Sequence, residues 1–138
     1  MEIKAIAHDP ASGKISPVGS EKFDISKKNW KILGTTDENA SSVLDGSTST
    51  TWHQRNKSLP TDLVIDLGGK YNLCGFKYIP DQAKWSSGII SHYEFYVSDD
   101  NAHWKLMDKG EFSNITNNPV LQIKNFKPDE ARYIRLRV

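Results

Sequence analysis

Residues 92–98 read His-Tyr-Glu-Phe-Tyr-Val-Ser, with Tyr93, Phe95 and Val97 at every second position. That period belongs to an extended strand with one face on a core and the other toward solvent. Ser98-Asp99-Asp100-Asn101 closes the run with turn residues, whose side chains bond their own backbone. The same rhythm continues on both sides. Upstream, Leu63, Ile65 and Leu67 alternate in D-L-V-I-D-L-G (62–68), which Gly68-Gly69-Lys70 is expected to end. Cys74, Phe76 and Tyr78 then share one face of L-C-G-F-K-Y-I (73–79) before Pro80. Downstream, Leu121 and Ile123 alternate in V-L-Q-I-K-N-F (120–126), and Ile134, Leu136 and Val138 in R-Y-I-R-L-R-V (132–138). Asn117-Asn118-Pro119 and Lys127-Pro128-Asp129 supply the breaks. No segment keeps a helical stripe beyond a turn or two; the nearest is 37–44, with Asp37 as its cap. Short strands with regular turn signals predict an all-β antiparallel sandwich or barrel. The first 24 residues fit least: 2–7 (E-I-K-A-I-A) reads as a strand, and 8–24 as a loop or linker.

One domain suits a chain of 138 residues, 37% hydrophobic and 25% charged. Eighteen Lys and Arg against seventeen Asp and Glu leave a net charge of +1. Binding to nucleic acid or anionic lipid needs clustered positive charge, so neither partner is expected. The group Lys124, Lys127, Arg132, Arg135 and Arg137 is interleaved with Asp129 and Glu130 and reads as a solvated face. No run approaches the roughly 18 apolar residues of a membrane span, so no membrane insertion is expected. The single Cys74 excludes a disulfide within the chain and reads as a small buried hydrophobe. The opening M-E-I-K-A-I-A-H-D-P carries no apolar segment of signal-peptide length.

Catalytic constellations are missing from the sequence. The four histidines (His8, His53, His92, His103) lack HExxH spacing, and there is no GxSxG, phosphate-cradling glycine loop or cysteine cluster. Asp99-Asp100 is explained by a hairpin tip, and His103 by an exposed turn.

Two segments carry more. Ser42-Val43-Leu44-Asp45-Gly46-Ser47-Thr48-Ser49-Thr50-Thr51-Trp52-His53 packs a carboxylate, a glycine and many hydroxyls into a loop anchored on a tryptophan. Oxygens of a tightly turned loop suit a hard cation such as calcium. With a single acid, the residues equally admit a hydroxyl-rich loop that holds no metal. The second segment pairs Pro80-Asp81-Gln82-Ala83-Lys84-Trp85 with His53-Gln54-Arg55-Asn56. A flat ring among guanidinium, amide and carboxyl groups suits a sugar, the ring taking the C–H face and the polar groups the hydroxyls. A loop tryptophan folded over the end of the sandwich is the alternative.

An ordered set of motifs resembles a known family. The set runs N-W-K-I (29–32), V-L-D-G-S-T-S-T-T-W-H (43–53), L-V-I-D-L-G (63–68) and Y-I-P (78–80), then G-I-I-S-H-Y-E-F-Y-V-S-D-D (88–100), Trp104 and A-R-Y-I-R-L (131–136). Residues 25–138 are thereby similar to the discoidin-like domains, the coagulation factor five/eight type C family, and most of all to bacterial carbohydrate-binding modules of family 32. The resemblance implies a galactose-binding-domain-like jelly roll of about eight strands, no catalysis and a structural calcium. It places Asp45 and Thr50 on the calcium through side chains and Ser42 and Ser47 through carbonyls. It puts a glycan, of galactose type or an amino sugar, on Trp85 with His53, Arg55, Asn56 and Asp81. It also implies an extracellular, periplasmic or cell-surface accessory module, covalently linked to a glycoside hydrolase. The runner-up is a protein-interaction or purely structural accessory domain of the same fold, without sugar affinity.

This chain departs from the family pattern in three places. The family's last strand is missing after A-R-Y-I-R-L, and Met1-Glu2-Ile3-Lys4 resembles it at the front; an N-terminal strand is expected to fill that place, with Glu2 as a further calcium ligand. Asp81 stands where an arginine is usual, and Asn56 where galactose binders often carry an aromatic.

Overall fold

The computed structural model describes residues 2–22, 24–54, 58–83 and 86–138, and of residues 2, 3 and 19–22 the backbone alone. The elements are β1 (Glu2–Ala5), β2 (Gly19–Lys22), β3 (Lys31–Leu33), a 3-10 helix (Glu38–Val43), β4 (Asp62–Tyr78), β5 (His92–Ser98), β6 (Lys105–Glu111) and β7 (Gln122–Arg137). Every strand pairing is antiparallel, and β3-β4-β7-β5-β6 form one five-stranded sheet. The all-β class and the alternation of Tyr93, Phe95 and Val97 hold: these three are buried, as are Ile65 and Leu67.

Two expected breaks are instead bends inside long strands. Gly68-Gly69-Lys70 lies within β4 and Lys127-Pro128-Asp129 within β7. The β4–β7 register slips at both places, between Asp66 and Tyr71 and again between Leu73 and Gly75. At the first slip Gly68 adopts φ +74°, and a Cβ there would stand 2.7 Å from the Asn29 carbonyl oxygen. Only glycine combines that conformation with so close a backbone approach. At the second slip, Phe126, Lys127 and Pro128 oppose Cys74 alone, so the proline, which has no N–H, sits where no ladder bond is required.

The bends turn the second half of β4 and the first half of β7, which pair with each other, over the sheet. In the sheet β7 separates β4 from β5, which would hold their residues about 10 Å apart. Phe76 of β4 nevertheless stacks on Phe95 of β5 with ring centroids 4.4 Å apart, and Phe126 of β7 lies 5.5 Å from the same ring. The core closes between the two layers around Leu67, Leu73, Phe95, Phe112 and Ile115. Four predicted strands thus become two bent ones.

The second slip also inverts the expected faces. Leu73 is buried and Cys74 exposed, so Cys74 does not join the face of Phe76 and Tyr78. Leu121 and Ile123, expected inward, are 46% and 55% exposed, because Phe126 and not they follows the core side of the arm.

Of the residues expected as a linker (8–24), 8–22 contribute the turn and second strand of a hairpin. β1 pairs with β2, His8 bridges Ile15, and Asp9 caps the intervening turn. The backbone bonds of β1 go to β2, and among the described residues β1 is not a strand of the five-stranded sheet. The expectation that the N-terminal strand takes the vacant last-strand place is thus not what this arrangement displays.

Candidate functional site

Three segments converge at one end of the sheet. The first runs from the end of β3 through the 3-10 helix. Asp37 caps that helix: its Oδ1 accepts from the Asn39 backbone N–H at 2.9 Å and from Asn39 Nδ2 at 3.1 Å. Its Oδ2 accepts the Trp52 indole N–H at 2.7 Å. These bonds, the indole first, hold the Asp37 carboxyl below the usual carboxylate range. One carboxylate therefore fastens the start of the helix to the segment that presents His53.

Between those attachments lies the hydroxyl-rich loop. Asp45 Oδ2 accepts from the Thr50 hydroxyl at 2.6 Å and Oδ1 from the Ser47 N–H at 2.7 Å, while Gly46 takes φ +77° to make the turn. Ser47 and Ser49 hydroxyls are 2.8 Å apart. The Thr50 and Ser47 bonds, with the nearby Lys27 charge, hold the Asp45 carboxyl low. The arrangement brings Asp45, Ser47 and Thr50 together, and Ser42 lies in the preceding helix. All the donors are oxygens, the side-chain oxygens of Asp45 and Thr50 stand side by side, and Asp45 supplies a full negative charge. This chemistry fits a hard cation. Among the described residues no group of three or more His, Cys, Asp or Glu exists, so the metal would depend on hydroxyl and carbonyl oxygens. Glu2 lies in β1, and its side chain is outside the described residues.

The third segment is the loop after β4. His53 Nε2 lies 3.4 Å from Asp81 Oδ2, with the histidine side chain 38% and the carboxylate 18% exposed. Asp81 is fixed from its own loop, by the Ser86 hydroxyl at 2.5 Å and the Ala83 N–H at 2.9 Å, and these bonds hold its carboxyl low. Gln82 Nε2 donates to the carbonyls of Pro80 at 2.7 Å and Pro119 at 2.9 Å, tying this loop to the approach to β7. Thr51 Oγ1 stands 3.3 Å from the same His53 nitrogen.

Beside His53 opens a cleft of about 830 Å³, walled by Thr36, Asp37 and Asn39 on one side and Thr51, Trp52 and Gln54 on the other. Its surface is rich in hydroxyl, amide and carboxylate groups, which can exchange hydrogen bonds with a polyhydroxylated ligand. Of the predicted ligand residues, His53 lines this cleft, and Asp81 is joined to it through the His53 contact. Arg55, Asn56 and Trp85 lie outside the described residues. Asp37 and Gln82 escaped the sequence reading as site residues. The cap signal at Asp37 was legible, but its bond to Trp52 spans fifteen positions and carries no local pattern.

The F5/8 type C domain family matches residues 22–138. A sialidase of Micromonospora viridifaciens is 32% identical over 106 residues, 72% of this chain and 16% of that protein. An A type blood N-acetyl-alpha-D-galactosamine deacetylase of Flavonifractor plautii is 39% identical over 67 residues, 46% of this chain and 8% of that protein. The chain thus spans under a fifth of either relative. Among solved structures, a family 32 carbohydrate-binding module of Clostridium perfringens, in complex with GalNAc-beta-1,3-galactose, superposes with TM-score 0.71 at 23% identity, covering 83% of this chain and 86% of that one. That likeness confirms the jelly-roll fold. With the family matching 117 of 138 residues (22 through 138), the chain belongs to the F5/8 type C, or discoidin-like, domain family.

Proposed function

We propose that this domain is a non-catalytic carbohydrate-binding module, covalently attached to a larger bacterial glycan-processing enzyme that works outside the cytoplasm. The observation that carries the reading is the meeting of His53 and Asp81, from two loops, at the rim of a polar cleft. It is supported by two relatives whose names describe enzymes of glycans, a sialidase and an N-acetylgalactosamine deacetylase, and by a fold neighbour that holds a GalNAc–galactose disaccharide. In this reading Trp85 stacks on one sugar face, while His53, Arg55, Asn56 and Asp81 bond the hydroxyls. A structural calcium is held by Asp45, Thr50, Ser42 and Ser47. Its chemistry would be to neutralise the loop oxygens, and the protein's part is to present His53 in a fixed place, which lowers the ordering cost of binding.

A one-site open cleft predicts weak binding, roughly 0.1–1 mM. The test is a glycan array followed by calorimetry with galactose, N-acetylgalactosamine and glucosamine. Saturable binding of one of these, with no turnover of chromogenic glycosides, supports the reading. Silence across the array supports a purely structural accessory domain instead.

A further inference from the structure

The Asp45 loop has a positive charge of its own. Lys27 lies in the segment leading to β3, and its side chain reaches back across the loop. A Cβ placed on Gly46 would stand 3.7 Å from Lys27 Nζ. The ammonium therefore hovers over the turn that joins Asp45 to Ser47 and Thr50. The segment holding Lys27 is itself anchored, since the Trp30 N–H bonds the Lys27 carbonyl at 3.0 Å and the Trp30 ring packs on the core. Of the nearby carboxylates, Asp45 is the loop's own, and Asp24 is engaged by Lys77 through both oxygens at 2.9 and 2.7 Å. Lys27 thus stands over the turn of the loop whose carboxylate the proposed calcium would use.

We propose that the Lys27 ammonium is the resident counter-charge of the Asp45 loop, and that it sets the loop's affinity for calcium by competing for Asp45. This inference rests on the calcium reading given above. A cation entering beside an ammonium meets like-charge repulsion, which is partly relieved when the flexible lysine swings to solvent. In the absence of metal, the same lysine offsets the Asp45 charge and helps to hold the loop. Removing its charge should act in opposite directions in the two states. Few structural lysines would do that.

The experiment uses the full chain, with Lys27→Met to remove the charge while keeping the apolar stem and Lys27→Arg to keep the charge. Calcium chloride is titrated by calorimetry, and melting is followed in chelator and in excess calcium. The expected result is calcium binding about threefold to tenfold tighter in Lys27→Met than in the parent, from one removed like charge near the surface, with Lys27→Arg close to the parent. In chelator Lys27→Met should melt below the parent. If the parent binds calcium and Lys27→Met binds it equally well, the role of Lys27 is overturned while the calcium reading stands. If neither the parent nor Lys27→Met takes up calcium, the calcium reading fails and the inference falls with it.

Discussion

Asp37 accepts the Trp52 indole N–H at 2.7 Å with one carboxylate oxygen while capping the 3-10 helix with the other. Trp52 directly precedes His53, so this single bond sets the position of the histidine relative to the cleft wall. The indole N–H is consumed by the fold, and Trp52 can offer a ligand only its ring.

Replacing Asp37 should therefore affect binding without direct contact to the sugar. Asp37→Asn keeps an acceptor for the indole and should bind glycan nearly as the parent does. Asp37→Leu loses both the cap and the tie, and should lower the melting temperature by a few degrees and weaken binding severalfold. Parallel melting curves and glycan titrations check this; equal binding by all three proteins would disconnect Asp37 from the site.

The ligand residues make a second prediction. Trp85→Ala should weaken binding of a responding glycan about fivefold or more, since aromatic contacts contribute roughly 1 kcal/mol beyond their area. His53→Ala should cost about threefold to tenfold, the range of a single hydrogen bond of about 0.5–1.5 kcal/mol net. Folding of both variants is verified by chemical-shift dispersion. Parent-like binding by Trp85→Ala would move the site to another surface.

A third prediction concerns acid. Asp62 is held below its ordinary range chiefly by hydrogen bonds from Arg137, and Asp66 by those from Arg132, which in both cases grips the two carboxylate oxygens. Asp37, Asp45 and Asp81 are lowered by hydroxyl, indole and amide donors. In each case the unfolded chain binds the proton more readily than the folded one. Their contribution is present above the unfolded value, about pH 4, and is lost as pH falls through the lower folded values. Denaturant titrations should give a plateau in stability above about pH 5 and a decline below about pH 4. A flat profile down to about pH 2 would show these contacts to be absent in solution.

The core makes the fourth. Leu67 is fully buried at the start of the first bend, beside Gly68. Leu67→Ala should destabilise the fold by about 3 kcal/mol, the mid-range for a buried leucine. Gly68→Ala should also destabilise strongly, because its Cβ would meet the Asn29 backbone and its φ is positive. Chemical denaturation measures both, and a loss under about 1 kcal/mol for Leu67→Ala would contradict the burial.

Calcium supplies the last. Added to chelated protein, it should raise the melting temperature of the parent, and Asp45→Ala should abolish that rise. An identical melting curve with and without calcium would remove the metal from the loop.

The sequence by itself determined the strand class, because alternation such as Tyr93-Phe95-Val97 is a local property that any extended segment with one buried face must carry. It also determined the chemical content of the two loops, since Asp45, Thr50, His53 and Asp81 are hydrogen-bonding groups wherever the chain takes them. It could not distinguish a glycine that ends a strand from one that bends it. Gly68 and Pro128 carry the same local signal in both cases, and the difference lies in whether a distant partner continues the ladder across the slip. That decision belonged to the β4–β7 pairing, and with it came the exposure of Cys74, Leu121 and Ile123. The meeting of His53 with Asp81 and of Asp37 with Trp52 was likewise decided in three dimensions, because the first pair joins two separate loops and the second spans fifteen positions of one connection, and neither leaves a local pattern.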